Sequence, residues 1–253
     1  MGTGAITQYV DVAQLVLYAF WLFFFGLVYY LIREGHREGF PLETDNGRGI
    51  INGWPTASPK TYLLPNGGEL SVPNDKVSPQ RLLAEPLHNW NGSPMQPINA
   101  NPMLDGVGPG AWADRADVPD MTSHGHPRLQ PLRISPEFDV NAKDNDPRGN
   151  PVVGADGVVG GTVRDLWLDH SEHQFRYIEV QLADGSRSVM LPINFARIKR
   201  DMVQVRSIMG HQFGQVPAIK RDDQITFLEE EKVMAYYGAG TLYAEPSRSE
   251  PLV

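Results

Sequence analysis

The chain has 253 residues, enough for one or two domains, of which 41% are hydrophobic and 21% charged. Its net charge of −8 excludes a nucleic-acid surface spread over the whole molecule, and the absence of cysteine excludes disulfides, thiol catalysis and Cys-containing metal sites. A mean hydropathy of −0.31 excludes a polytopic membrane protein but leaves room for one span.

That span is Val12 to Ile32, 21 residues without a formal charge. At ~1.5 Å per residue it is ~31 Å long, against a hydrocarbon core of about 30 Å. Its apolar residues go all the way round, which sets it apart from an amphipathic surface helix. Tyr29 and Tyr30 stand at one edge, where amphipathic rings suit the headgroup level. A cleaved signal peptide fits poorly, because no Lys or Arg precedes the span and no small-residue cleavage site follows it. Only Asp11 is charged before the span, whereas Arg33 and Arg37 follow it. Basic residues stay cytoplasmic, so the N-terminal segment 1–11 is expected in the periplasm and the bulk of the chain in the cytoplasm.

Residues 41–151 hold 17 of the 21 prolines, with no lasting helical or alternating pattern. Tyr62-Leu63-Leu64 and Leu70-Ser71-Val72 flank Pro65-Asn66-Gly67-Gly68, which reads as a short hairpin. Trp54, Trp90, Trp112, Met95, Met103 and Leu104 are scattered through the stretch, and disordered linkers are poor in such residues. The expectation is an ordered, extended segment over 33–150 that uses another protein as its core.

From Gly157 the pattern changes. Residues 158–169 and 175–185 read as strands; in the second, Ile178, Val180 and Leu182 point one way and Tyr177, Glu179 and Gln181 the other. SVMLP (188–192) and MVQVR (202–206) continue the series, with Ala183-Asp184-Gly185-Ser186 as a turn. Short strands at close spacing predict a small antiparallel barrel or sandwich. Thr226 and Glu229 have capping-box spacing, which predicts one helix ending near Gly238 and Gly240. Glu229-Glu230-Glu231 reads as a solvated first turn, and the tail after Ala244 as frayed.

No phosphate-cradling glycine loop, nucleophile elbow or His-Glu-x-x-His motif occurs, so no enzyme activity is expected. Two groups could carry chemistry. One is His124-Gly125-His126, a pair of alternate imidazoles whose plain reading is two solvated loop histidines. The other is Asp169-His170-Ser171-Glu172-His173 followed by Arg176, which reads either as a polar hairpin tip or as a cluster of proton-carrying groups.

Several long runs carry a resemblance: YYLIREGHREGFPLE past the span, PKTYLLPNGG, NPMLDGVGPGAWADRADVPD, SHGHPRLQPLR, the run from DPRGNPVVG to FRYIEV, and DQITFLEEEKVMAYYGAGTLYA. The chain resembles the H subunits of the photosynthetic reaction centres of purple-type bacteria, and residues of about 150–205 look like a PRC-barrel. The resemblance implies a single membrane helix in the photosynthetic inner membrane, an extended segment over 33–150, and a mainly-β PRC-barrel-like domain over 151–245 with one C-terminal helix. It implies partners, the L and M subunits, with antenna subunits and lipid besides. It implies no cofactor on this chain, while bacteriochlorophyll, bacteriopheophytin, quinones and non-haem iron belong to L and M. It also implies support for proton delivery to the secondary quinone. On the matching positions, His124 and His126 lie at the proton-uptake surface, Asp169 and Glu172 on the route, and Arg176 beside them as a tuning charge. Thr122 and Gln224 stand where some relatives carry acids, which weakens any metal site at the His pair. The competing class is a membrane-tethered PRC-barrel adaptor for a ribosome-maturation or other protein complex.

Overall fold

The computed structural model describes residues 4–7, 10–40, 42–43, 50–51, 54–55, 57–65, 67–74, 82–90 and 92–249. The expected N-terminal segment, Pro-rich stretch and tail therefore lie partly outside the described residues, as does Asn66 of the hairpin turn. The chain divides into two compact units, residues 1–81 with 86–95 and residues 82–85 with 96–253.

In the first unit, helix α1 covers Val12–Gly35. Asp11 caps it: its carboxylate accepts from the Gln14 N–H at 2.8 Å, and the Gln14 side chain accepts from the Asp11 N–H at 3.2 Å. None of the helix's residues is buried, and its most apolar window has a mean hydropathy of 2.2. A helix with an apolar surface on all sides is soluble only in lipid. It runs three residues past the predicted Ile32, because Arg33 and Glu34 are good helix formers that carry the backbone ladder beyond the hydrocarbon. Strands β1 (Leu42–Glu43) and β2 (Ile50–Ile51) pair antiparallel. Strands β3 (Lys60–Leu63) and β4 (Glu69–Val72) form the predicted hairpin, with Tyr62 opposite Leu70 and Leu63 opposite Glu69. Strands β5 (Ala84–Pro86) and β6 (Met95–Pro97) form a further pair, at which the two units divide.

The second unit is built on one curled sheet. Its strands are β7 (Leu129–Pro131), β8 (Pro151–Val153), β9 (Val159–Asp169), β10 (Gln174–Leu182), β11 (Ser188–Pro192), β12 (Ala196–Ile198) and β13 (Val203–Val205). The order is β11-β10-β9-β8-β13-β12, with β7 also on β9. Long strand β9 gives one edge to β10 and shares the other between β8 and β7. Two register shifts between β9 and β10 bend the sheet, as bulges do. End strands β11 and β12 are not joined, so the barrel stays half open. All pairs are antiparallel except β8 with β13, which run parallel, a departure from the all-antiparallel expectation. Val152, Trp167, Ile178, Val180, Leu191, Val203, Val205 and Phe213 fill the interior. A charge cluster on two buried carboxylates ties the 132–134 turn to the sheet. Arg133 bonds Asp165 at 3.2 Å and Glu179 at 2.5 Å, and Glu179 also takes the Trp167 indole N–H at 3.1 Å.

Helix α2 (Phe227–Tyr243) closes the core with Val233, Tyr236 and Tyr237. The capping box forms as predicted, Thr226 with Glu229. The predicted stop at Gly238 and Gly240 is wrong: the helix continues to Tyr243. These glycines serve close packing instead. A Cβ on Gly238 would stand 2.5 Å from the Pro109 carbonyl oxygen, and one on Gly240 2.5 Å from that of Ser207. Two further expectations fail. Glu229 is buried rather than solvated, and the chain after Ala244 is pinned at Arg248, which donates to the carbonyls of Ser207 and Gly240 at 2.7 Å. Part of the Pro-rich stretch also has its core within this chain. Met103, Leu129 and Leu132 are buried in it, and Gly110 lies against Ala239 of α2. Trp54, Trp90 and Leu104, by contrast, are exposed.

Candidate functional site

Asp169 ends β9, and the chain turns back into β10 through residues 170–173. The turn closes locally. The Asp169 carboxylate accepts the N–H groups of Ser171 and Glu172 at 2.9 and 3.0 Å, and His173 adopts a left-handed φ of 52° while its N–H bonds the Asp169 carbonyl at 2.8 Å. An Asp side chain that mimics a backbone turn explains why this residue type stands here. The Asp169 side chain is only 3% exposed.

Its charge is met by Arg128, at the entrance to β7. The Arg128 Nε lies 2.9 and 3.0 Å from the two Asp169 oxygens, and its Nη2 2.8 Å from one of them. The same guanidinium reaches Glu172 at 2.8 Å and Asp120 at 3.3 Å. Arg176 completes the group, 3.5 Å from Asp169 and in contact with Glu172. Burial pushes the Asp169 carboxyl up, but Arg128 and the two turn N–H groups outweigh it and hold the carboxyl below its ordinary value. Asp169 is thus ionised at neutral pH. Arg128 is raised in return, chiefly by its bond to Asp169. Glu172 is about half exposed.

The two histidines sit on a turn that grows from the same arginine. The Arg128 N–H bonds the Asp120 carbonyl at 2.8 Å, Met121 pairs with Pro127, and the Thr122 N–H bonds the His126 carbonyl at 2.8 Å. Gly125, at φ +80°, supplies the left-handed corner between the two imidazoles. Both histidines are exposed. The structure therefore gathers Asp169, Glu172 and Arg176 around Arg128 and hangs His124 and His126 on the turn that Arg128 closes. The remaining histidines of the motif go elsewhere: His170 shares a hydrogen bond with the buried Ser135 hydroxyl at 3.1 Å, and His173 lies beside the Phe138 ring. Among the described residues, no group of three or more His, Asp or Glu side chains is arranged to hold a metal.

A cleft of about 520 Å³ opens next to the cluster, lined by Asp120, Arg128, Asp169, Arg176, Tyr177 and Glu230 among others. Glu230 accepts the Tyr177 hydroxyl at 2.9 Å. Burial raises its carboxyl above the ordinary range, and the Tyr177 bond and nearby arginines only partly oppose that. Glu230 is thus half-buried, against the expectation of a solvated first turn. Its spacing to Val233 and Tyr237, three and seven residues on, could have placed it on the buried face of α2. Arg128 carried no such signal, since it meets Asp169 from 41 residues away.

Two family models match the chain. One, described as the photosynthetic reaction centre H-chain N-terminal region, covers residues 4–134, just over half the chain. The other, the PRC-barrel domain, covers residues 140–212. The two matches meet in the sheet: β7 and the Arg128 turn lie in the first, while β9, Asp169 and Glu172 lie in the second. With a single apolar helix, a half-open barrel and a closing helix besides, the chain belongs to the family of photosynthetic reaction-centre H chains.

Proposed function

We propose that this H chain is a non-enzymatic accessory subunit that caps the L and M subunits on the cytoplasmic side and helps protons reach the secondary quinone. The pigments, quinones and iron of the complex belong to L and M. The bulk of the chain is cytoplasmic, with the segment before the span in the periplasm, and part of the segment 33–150 covers partner surface. The observation that carries the proton reading is the Arg128 cluster, which joins a buried, ionised carboxylate to a half-exposed one and bears the histidine turn. Reducing a quinone to a quinol consumes two protons. His124 and His126 stand exposed to water on the turn that Arg128 closes, and there they collect protons. Glu172 passes them inward. Asp169 is a fixed negative charge that favours the arrival of protons and holds Arg128 and Arg176, which tune the carboxylates and do not themselves deprotonate. The alternative of a membrane-tethered PRC-barrel adaptor does not account for the H-chain match over residues 4–134.

The test is replacement of His124 and His126 together by Ala in the assembled complex. The second, proton-coupled electron transfer to the quinone should slow, and small weak acids should partly restore it. A normal rate in the double variant contradicts the role given to the pair.

A further inference from the structure

The first unit carries an apolar surface that the span and the proton cluster leave unused. Four contacts bind the segment 54–72 to the end of α1. The His36 ring Nδ1 is 3.0 Å from the Pro55 carbonyl oxygen. Arg37, 5% exposed, donates to the Ser58 carbonyl and, at 3.2 Å, to the Val72 carbonyl. Lys60 Nζ is 2.7 Å from a Glu34 carboxylate oxygen. Glu34 lies two residues, or ~3 Å of rise, beyond Ile32, where the apolar run ends. The β3–β4 hairpin is thus held at the level where hydrocarbon gives way to headgroups, on whichever side of the membrane α1 ends.

The hairpin register sorts its side chains. Tyr62 and Leu70 are directly opposed, so they share one face with Lys60 and Val72, while Leu63 and Glu69 share the other. The face that reaches Glu34 through Lys60 is therefore the one bearing Tyr62 and Leu70, which are 45% and 43% exposed. Trp54, adjacent to the Pro55 anchor, is 84% exposed. Trp and Tyr with an aliphatic neighbour and a lysine are the residue types that settle at a bilayer surface, ring in the acyl boundary and polar end in the headgroups.

We infer that Trp54 and the Tyr62–Leu70 face of the hairpin rest in the phospholipid headgroup–acyl boundary and act as a second, interfacial anchor beside α1. The inference rests on α1 being the membrane span. It is independent of the proton route. Continuity decides the occupant: the tethers fix this face to the last turn of a helix whose flank is itself lipid-facing in composition.

The chain has no cysteine, so a single-cysteine variant carries one label site on this chain, and the native complex taken through the same labelling supplies the background. Leu70→Cys and Trp54→Cys are compared with Glu69→Cys, on the opposite face, in the assembled complex in vesicles of phosphatidylcholine and phosphatidylglycerol. Labels at 70 and 54 should collide several-fold more with lipid-soluble oxygen, relative to a water-soluble nickel chelate, than the label at 69 does. Nickel collisions at 70 and 54 equal to those at 69 would put the face in water and overturn the inference. Protection from both reagents would mean that a protein subunit covers it, and would overturn it equally. Two labelled positions keep the test decisive if one variant assembles poorly.

Discussion

Replacing Arg128 by Met removes the guanidinium from the centre of the cluster and keeps a side chain of comparable reach. Asp169 then loses its contacts at 2.8–3.0 Å and retains two turn N–H bonds at 2.9 and 3.0 Å and Arg176 at 3.5 Å. Stranding a fully buried charge costs about 3–5 kcal/mol. The retained charge-assisted bonds reduce that to about 2–3 kcal/mol, or about 5–10 °C in Tm for a chain of this size. The pH dependence follows from the sign of the shift. In the native chain the Asp169 carboxyl is lowered, so its contribution is complete above the unfolded carboxyl value of about 3.9 and is lost as pH falls through the folded value. Without Arg128, burial is the dominant influence and the ionised form destabilises the fold above about pH 4. The deficit of Arg128→Met should therefore be largest at pH 7 and shrink toward pH 4. Adding Asp169→Asn, which still accepts both turn N–H groups, should recover most of the loss. The assay is denaturant unfolding of the detergent-solubilised chain, read by the near-ultraviolet signal of buried Trp167. A deficit that stays equal at pH 4 and pH 7, or that Asn fails to relieve, would refute the assignment of a buried charge to Asp169.

Gly240→Ala, ordinarily worth up to about 1 kcal/mol of helix propensity, should instead destabilise by about 1–3 kcal/mol, because its Cβ would meet the Ser207 carbonyl oxygen and the Ile208 side chain at 2.5 Å; thermal melts that show a gain would mean the helix is free to shift. Glu230→Gln tests the raised carboxyl facing the cleft. A raised folded value means the fold favours the protonated form, so the cost of the charge is absent below about pH 4.3 and grows as pH rises through the folded value. Relative to the native chain, the variant should gain stability between pH 4.5 and pH 8, measured by denaturant midpoints, and a difference that does not vary with pH would count against a raised Glu230.

What the sequence showed and what it hid follow a physical division. The span, the 60–72 hairpin, strands β9 to β11 and the Thr226–Glu229 box were legible because each is decided within a dozen residues, by apolar run, turn chemistry or cap spacing. Strands β7 and β8 were not, since three residues carry no period and each is a strand only because β9 lies beside it. Gly238 and Gly240 look alike as stop signals and as close-contact residues; only Pro109 and Ser207, brought in from elsewhere, decide between the two. The candidate site divided the same way. Asp169, Glu172 and Arg176 are neighbours along one hairpin, so the sequence placed them together. Arg128 and Glu230 reach that hairpin from other elements. The sequence could rank Asp169 and Glu172 as candidates but could not tell that Asp169 is held ionised by Arg128, nor that Glu230 is pushed toward protonation by burial.

The most direct measurement of the proposed role is flash kinetics of the first and second quinone reductions in the assembled complex carrying Glu172→Gln, across pH 6 to 9. The variant keeps the shape of the side chain and a hydrogen-bond acceptor toward Arg128, but removes the carboxylate that can take up a proton. The account predicts an unchanged initial charge separation, because the proposed function assigns the pigments to other subunits, together with a slowed second, proton-coupled electron transfer. A second transfer that matches the native complex at every pH would contradict it.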